Sequence, residues 1–188
     1  AKTGIANLDL PKVSPYMGAE EFYSHFEPFI HPDTKLPVRN LATHQIEIWD
    51  HQFNYVYRQY VKSQKIGVSS ICILEDIYHA LTDAMGMEII ISGQSETIAQ
   101  THFQDFKKMV LQSNYRDYLI TKPIPEIGLE RNEITKATVA YMHNPNNPFY
   151  PTKIYAIGPT AGSLISYKRV KHIHASDITR SKETPDNQ

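Results

Sequence analysis

Three consecutive segments of different periodicity constrain this chain most. From Ser69 to about Met85 the apolar residues Ile73, Leu74, Ile77, Tyr78 and Leu81 recur at helical spacing. Met87 to Ile91 is then a short apolar run, rich in β-branched residues and closed by Ser92-Gly93-Gln94, which reads as a buried strand. After it Ser95 offers a helix cap, and Ile98, His102, Phe103, Phe106, Met109 and Val110 repeat along a second helix. Helices alternating with buried strands call for a mostly parallel sheet with right-handed crossovers, an α/β fold.

The flanking sequence extends the same pattern. Upstream, Thr43 is a candidate N-cap, and Ile46, Trp49, Asp50 and Phe53 space a helix from His44 to about Asn54. Tyr55 to Val61 alternates as a strand would, with Gly86 a candidate C-cap for the helix that follows. Downstream, residues 115 to 132 are irregular. Ile134 to Met142 and Lys153 to Ile157 read as two strands joined by the turn-rich Asn144-Pro145-Asn146-Asn147-Pro148. A short helix from Ser163 to about Tyr167 and a last strand from Val170 to Asp177 complete the expected order. Residues 1 to 40 are broken by Pro11, Pro15, Pro28, Pro32 and Pro37 and carry one short helix from Ala19 to about Phe26, so they read as an N-terminal arm. Residues 41 to 180 form the core and 181 to 188 a polar tail.

Composition excludes several classes. The chain has 188 residues, 41 % hydrophobic and 21 % charged, enough for one domain with a buried core and unlike a disordered segment. A net charge of −1 neither announces nor excludes a nucleic-acid surface, because a local patch can grip a phosphate backbone. The single cysteine, Cys72, allows no internal disulfide and points weakly to a reducing compartment. No run approaches the ~20 apolar residues of a membrane span, and Ala1 to Leu10 lacks the apolar stretch of a signal peptide. The expectation is a soluble intracellular protein.

The sharpest motif is Lys62-Ser63-Gln64-Lys65-Ile66-Gly67-Val68-Ser69-Ser70, between an expected strand and an expected helix. A phosphate cradle needs backbone N–H groups at a tight turn, a helix N-terminus facing the anion, and a cation and hydroxyl for the β/γ-phosphates and Mg²⁺. Gly67 supplies the turn, Ser69 the hydroxyl, and Lys62 or Lys65 the cation. The segment departs from the usual G-x-x-x-x-G-K-[ST] pattern: its first glycine is missing, and Val68 stands where lysine is usual. A strand-to-helix turn with two solvated lysines is the plainer alternative for the segment taken alone.

In order and spacing these residues resemble the large terminase subunits that package viral DNA. That family often carries a phosphate loop with its basic residue early, as Lys62 to Ser69 does, with Lys65 where arginine is common. His44-Gln45 resembles its adenine-binding segment, and Glu88 to Ser95 its second strand and helix. Val170-Lys171-His172-Ile173-His174-Ala175-Ser176-Asp177 resembles its acidic strand, here preceded by a hairpin (134 to 157) and by Lys168 and Arg169. The family usually ends this strand in Asp-Glu, whereas Asp177 is followed by Ile178. The resemblance runs from about residue 40 to residue 180.

It implies a P-loop NTPase-like three-layer sandwich that ends after its acidic strand, without the coupling motif and nuclease domain of a whole terminase. It further implies ATP and Mg²⁺ as ligands, with Gln45 and residues 62 to 70 binding nucleotide, Lys62, Lys65 and Asp177 catalytic, and Ser69 and Asp177 on the metal. Double-stranded DNA, a portal, a small terminase subunit and a homo-oligomeric ring are the implied partners, in the cytoplasm of an infected host cell. Two alternatives stay open: a degenerate nucleotide-binding domain without turnover, or a non-catalytic α/β interaction scaffold. His172 and His174 share one face of their strand, either to pair on a metal or as buried polar residues beside the site edge.

Overall fold

A computed structural model describes residue 10 and residues 13–31, 33–60, 67–83, 85–158 and 169–176. Its centre is a four-stranded sheet built from β3 (Glu88–Gly93), β4 (Val139–Met142), β5 (Thr152–Ile157) and β6 (Val170–Ser176) in the order β4-β5-β3-β6. β3 pairs parallel with both β5 and β6, and β4 closes antiparallel on β5. The short strands β1 (Phe29–Ile30) and β2 (Pro37–Val38) form a separate antiparallel ribbon.

Two long helices cover one face. α3 (Val68–Thr82) packs against β6 and β3, and α4 (Glu96–Leu111) against β3 and β5; the two helices also touch each other. α4 starts where expected, its Ser95 hydroxyl accepting the Ile98 N–H at 3.3 Å. Gly93 lets that helix end seat tightly on the sheet, since a side chain there would meet the Ala99 backbone nitrogen at 2.9 Å. The opposite face meets a thinner layer. Ile120, Leu129, Val139 and Tyr141 form a second apolar cluster there with Ile124, Ile127, Ile134 and Tyr155. α5 (Arg131–Ile134) belongs to that layer, where a three-layer sandwich would place longer helices.

The described residues of the N-terminal arm pack on the core. α1 (Ala19–Tyr23) inserts Phe22 into the main core, its ring 5.2 Å from Trp49, 5.2 Å from Tyr78 and 5.5 Å from Tyr115. Trp49 comes from α2 (Thr43–His51) and donates its indole N–H to the Met17 carbonyl at 3.0 Å. Tyr78 of α3 donates to the Ser14 carbonyl at 2.7 Å and accepts the Met17 N–H. These bonds satisfy polar atoms of buried rings and fasten the segment to α2 and α3.

Several expectations need correction. The N-cap of α2 is Ala42 rather than Thr43, and the Gln45 side chain closes the turn by accepting the Ala42 N–H at 2.9 Å. α3 is capped at its C-terminal end by Asp83 rather than Gly86. The Asp83 carboxylate accepts the Met87 N–H at 2.6 Å and the Thr152 hydroxyl at 3.0 Å, so it joins the helix end to the start of β5. The alternating segment expected as a strand from Tyr55 to Val61 forms none over its described residues 55–60. Its side chains are held by helices instead: Arg58 reaches α3, and Tyr60 stacks on His51 of α2. Tyr55, Val56 and Tyr57 are left exposed. The expected helix from Ser163 to Tyr167 lies outside the described residues. Among the described residues no helix is long and apolar enough to cross a membrane.

Candidate functional site

Gln45, Gly67, Val68, Ser69 and Ser70 gather at the N-terminal end of α3, whereas Lys62, Ser63, Gln64, Lys65, Ile66 and Asp177 lie outside the described residues. Gly67 is the N-cap and has a left-handed backbone, φ 77° and ψ 11°. It brings no capping side chain, and no acidic residue occupies the first turn. Among the described residues the N-cap brings no side chain and the first turn no carboxylate to the positive end of the helix dipole, an arrangement that suits an anion.

Gln45 lies directly against this turn. Its amide nitrogen donates to the Gly67 carbonyl at 3.3 Å, and its oxygen holds the Ala42 N–H. The amide thus ties α2 to the glycine. Val68 is buried in the main core, so the position that usually carries the phosphate lysine faces inward. Ser69 and Ser70 are partly exposed on the first turn.

What aims this helix end is a buried polar cluster that the sequence reading left unconnected. Asp76, in mid-α3, is fully buried. Its carboxylate meets His174 Nδ1 at 2.8 Å, and His172 Nε2 stands at ion-pair distance, 3.3 Å. One turn on, the His79 ring stacks on His172 at 4.3 Å, and His102 of α4 lies 5.6 Å from His174. Burial pushes the Asp76 carboxyl up, but His174 and His172 outweigh it and hold the group below the usual carboxylate range. Burial, then the neighbouring His172 and Lys171, push His79 down to about 3.

These contacts fix the sense of α3 over β6. Asp76 lies by His174, and the later His79 lies by the earlier His172, so helix and strand run antiparallel. At ~1.5 Å per helical residue and ~3.3 Å per strand residue, the path from Asp76 back to Cys72 matches that from His174 on to Ser176. The first turn of α3 therefore overhangs the C-terminal end of β6, where Asp177 is next in the chain. Open α/β sheets bind ligands at that end of their parallel strands.

A second buried pair lies beside the first. Arg58 makes a bidentate bridge to Glu75, with distances of 2.9 and 2.8 Å, and also donates to the Ile48 carbonyl. Burial pushes the Glu75 carboxyl up, and Arg58 pulls it part of the way back. Helical periodicity gave no reason to expect Glu75 and Asp76 inside. The one available signal was the pair His172 and His174, two polar residues on one strand face that need a partner.

The geometry at Gly67 carries a prediction. Gly67→Ala forces a Cβ into the left-handed region, at a cost of about 1–2 kcal/mol. That Cβ also collides with the Gln45 amide nitrogen, so Gln45 has to leave its bond to residue 67. Denaturant unfolding should show the loss; an unchanged midpoint would contradict a left-handed, Gln45-covered glycine. No protein-family profile, curated protein or solved structure matches this chain.

Proposed function

We propose that this chain is an ATP-binding motor domain of the viral DNA-packaging type. The single observation that supports it best is the overhang of the glycine-capped α3 terminus above the end of β6, held by Asp76, His172 and His174. A phosphate loop and an acidic strand stand in this relation in a P-loop ATPase, the anion at the helix end and the carboxylate at the strand end. In that role Lys62 and Lys65 neutralise phosphate charge, Ser69 and Asp177 hold Mg²⁺, and Gln45 lines the adenine side of the loop. Mg²⁺, when bound, offsets charge on the phosphoryl oxygens. The residues of the chain bind and orient the triphosphate for attack by water. Double-stranded DNA, a ring of copies, a portal and a small terminase subunit, in the cytoplasm of an infected host cell, follow from the same likeness.

The buried Val68 favours an early lysine as the phosphate cation, because the usual position is turned into the core. Val68 and Ile178 together also favour a second reading, nucleotide binding without turnover. Thermal unfolding with ATP, with and without Mg²⁺, separates the cases. Saturating Mg²⁺–ATP at a hundred times its Kd adds about 2.7 kcal/mol, and Lys62→Ala or Lys65→Ala should remove that gain. No ATP-dependent shift in the parent chain, or a full shift in both variants, sinks the assignment. A shift without phosphate release selects the second reading.

A further inference from the structure

A glutamine reads adenine by setting its carboxamide edge against the base, the oxygen to the N6 amino group and the nitrogen to N7. In this fold both of those atoms are engaged elsewhere. Gln45 Oε1 accepts the Ala42 N–H at 2.9 Å, and Nε2 donates to the Gly67 carbonyl at 3.3 Å. The residue is 7 % exposed and packed under the Gly67 turn. Turning the amide out to a base would leave the Ala42 N–H at the start of α2 without its partner and pull Nε2 off the turn. The carbonyl that Gln45 holds also accepts the Ile71 N–H at 3.2 Å, the bond that starts the α3 ladder. The Gly67–Val68 peptide is planar, so a carbonyl held toward the helix aims the Val68 N–H the other way, out of the helix end.

We infer that Gln45 is a positioning residue, which acts on a bound triphosphate through the Gly67 turn and does not read the base. The inference rests on the nucleotide-binding reading above and deepens it. What Gln45 favours is then the phosphate chain, common to every nucleoside triphosphate and to inorganic tripolyphosphate. Without Gln45 the Gly67–Val68 peptide is freer to rotate, which scatters the direction of the Val68 N–H and weakens all such ligands alike. Loss of a base reader would instead weaken ATP and spare tripolyphosphate. Gln45 and Gly67 also act as one unit. A Cβ at position 67 takes the place of the Gln45 amide nitrogen, so once Gly67 is replaced Gln45 has little left to hold.

The test measures the affinity of the parent chain, Gln45→Met, Gln45→Ala, Gly67→Ala and the Gln45→Ala/Gly67→Ala pair for ATP, GTP and inorganic tripolyphosphate. Gln45→Met keeps the side-chain volume and removes both bonds, and it carries the ligand comparison if Gln45→Ala does not fold. It should weaken all three ligands by one factor, about tenfold, and leave the parent's ratio of ATP to GTP affinity unchanged. Gln45→Ala should do the same in the parent but add less than about twofold on the Gly67→Ala background. In the nucleotide-free chain, amide exchange at residues 67–70 should quicken in Gln45→Met while that of α4 keeps the parent rate. A lower ATP-to-GTP ratio with tripolyphosphate binding intact marks a base reader and overturns the inference. Parent-like affinities for all three ligands, full additivity of the two substitutions, or unchanged exchange at the turn overturn it as well. A parent chain that binds none of the three overturns the functional reading and the positioning role with it.

Discussion

Arg58→Ala lowers the thermal midpoint by on the order of 10 °C, because it leaves the Glu75 carboxylate buried without its partner. Glu75 is 2 % exposed and Arg58 13 %, so solvent does little to screen the loss. Removing one member of a buried pair costs about 3–5 kcal/mol, most of it the penalty of the stranded charge. For a chain of this length each kcal/mol moves the midpoint by about 2–4 °C. Arg58 also donates to the Ile48 carbonyl near the end of α2, so the substitution loosens two helices at once. Arg58→Lys should rescue only part of the loss, since an ammonium cannot make the two parallel bonds of a guanidinium. Arg58→Met combined with Glu75→Leu should be milder than Arg58→Ala, because no charge stays behind. Calorimetry of the set checks this; a single variant within about 2 °C of the parent would show that the pair is not a buried anchor.

That pair also shows why local pattern reached some elements and missed others. α4 was legible from Ser95 and the apolar spacing that follows it, because cap and periodicity act within a few residues. β3 and β5 were legible for the same reason, whereas the strand expected from Ile134 starts only at Val139, because Ile134 closes α5. Tyr55 to Val61 alternates as well as any strand, yet over residues 55–60 it is not one. Alternation records which side chains differ in polarity, not whether a ladder partner exists. Here Arg58 and Tyr60 are taken by α3 and α2. Asp76 and His174 are 98 residues apart, so their contact is invisible to any window. A charged residue in a helix ordinarily faces solvent; Glu75 and Asp76 are inside because partners from elsewhere in the fold neutralise them. Gly67 was read correctly as the turn, but its contact with Gln45 depends on how α2 packs against α3. Of the candidate site residues, Gln45, Gly67, Val68, Ser69 and Ser70 meet at one helix end, and the contacts that aim that end lie beyond any local window.

The same cluster makes stability depend on pH well above the range of ordinary carboxylates. His79 is held down to about 3 by burial, with His172, Lys171 and Arg58 adding to the effect and Asp76 opposing it. In an unfolded chain a histidine titrates near 6.5. Between those values the unfolded chain binds a proton that the folded chain refuses. Stability from His79 is therefore complete above about pH 6.5 and lost as pH falls toward 3, by about 1.4 kcal/mol per pH unit. His143, pushed down by burial, acts in the same direction. Asp76 lies below its ordinary value, so its contribution is lost only in stronger acid, below the unfolded carboxylate range. Glu75 is raised and works the opposite way, as pH falls through its folded value. A comparison with His79→Phe isolates the one group, because a phenyl ring can keep the stack on His172 and binds no proton. Urea unfolding at pH 7, 6 and 5 should give the parent a slope steeper than the variant by about 1.4 kcal/mol per pH unit below pH 6. The variant should lose least relative to the parent at pH 5. Parallel stability curves would mean that His79 is protonated in the fold, and that the stack over Asp76 is open to water.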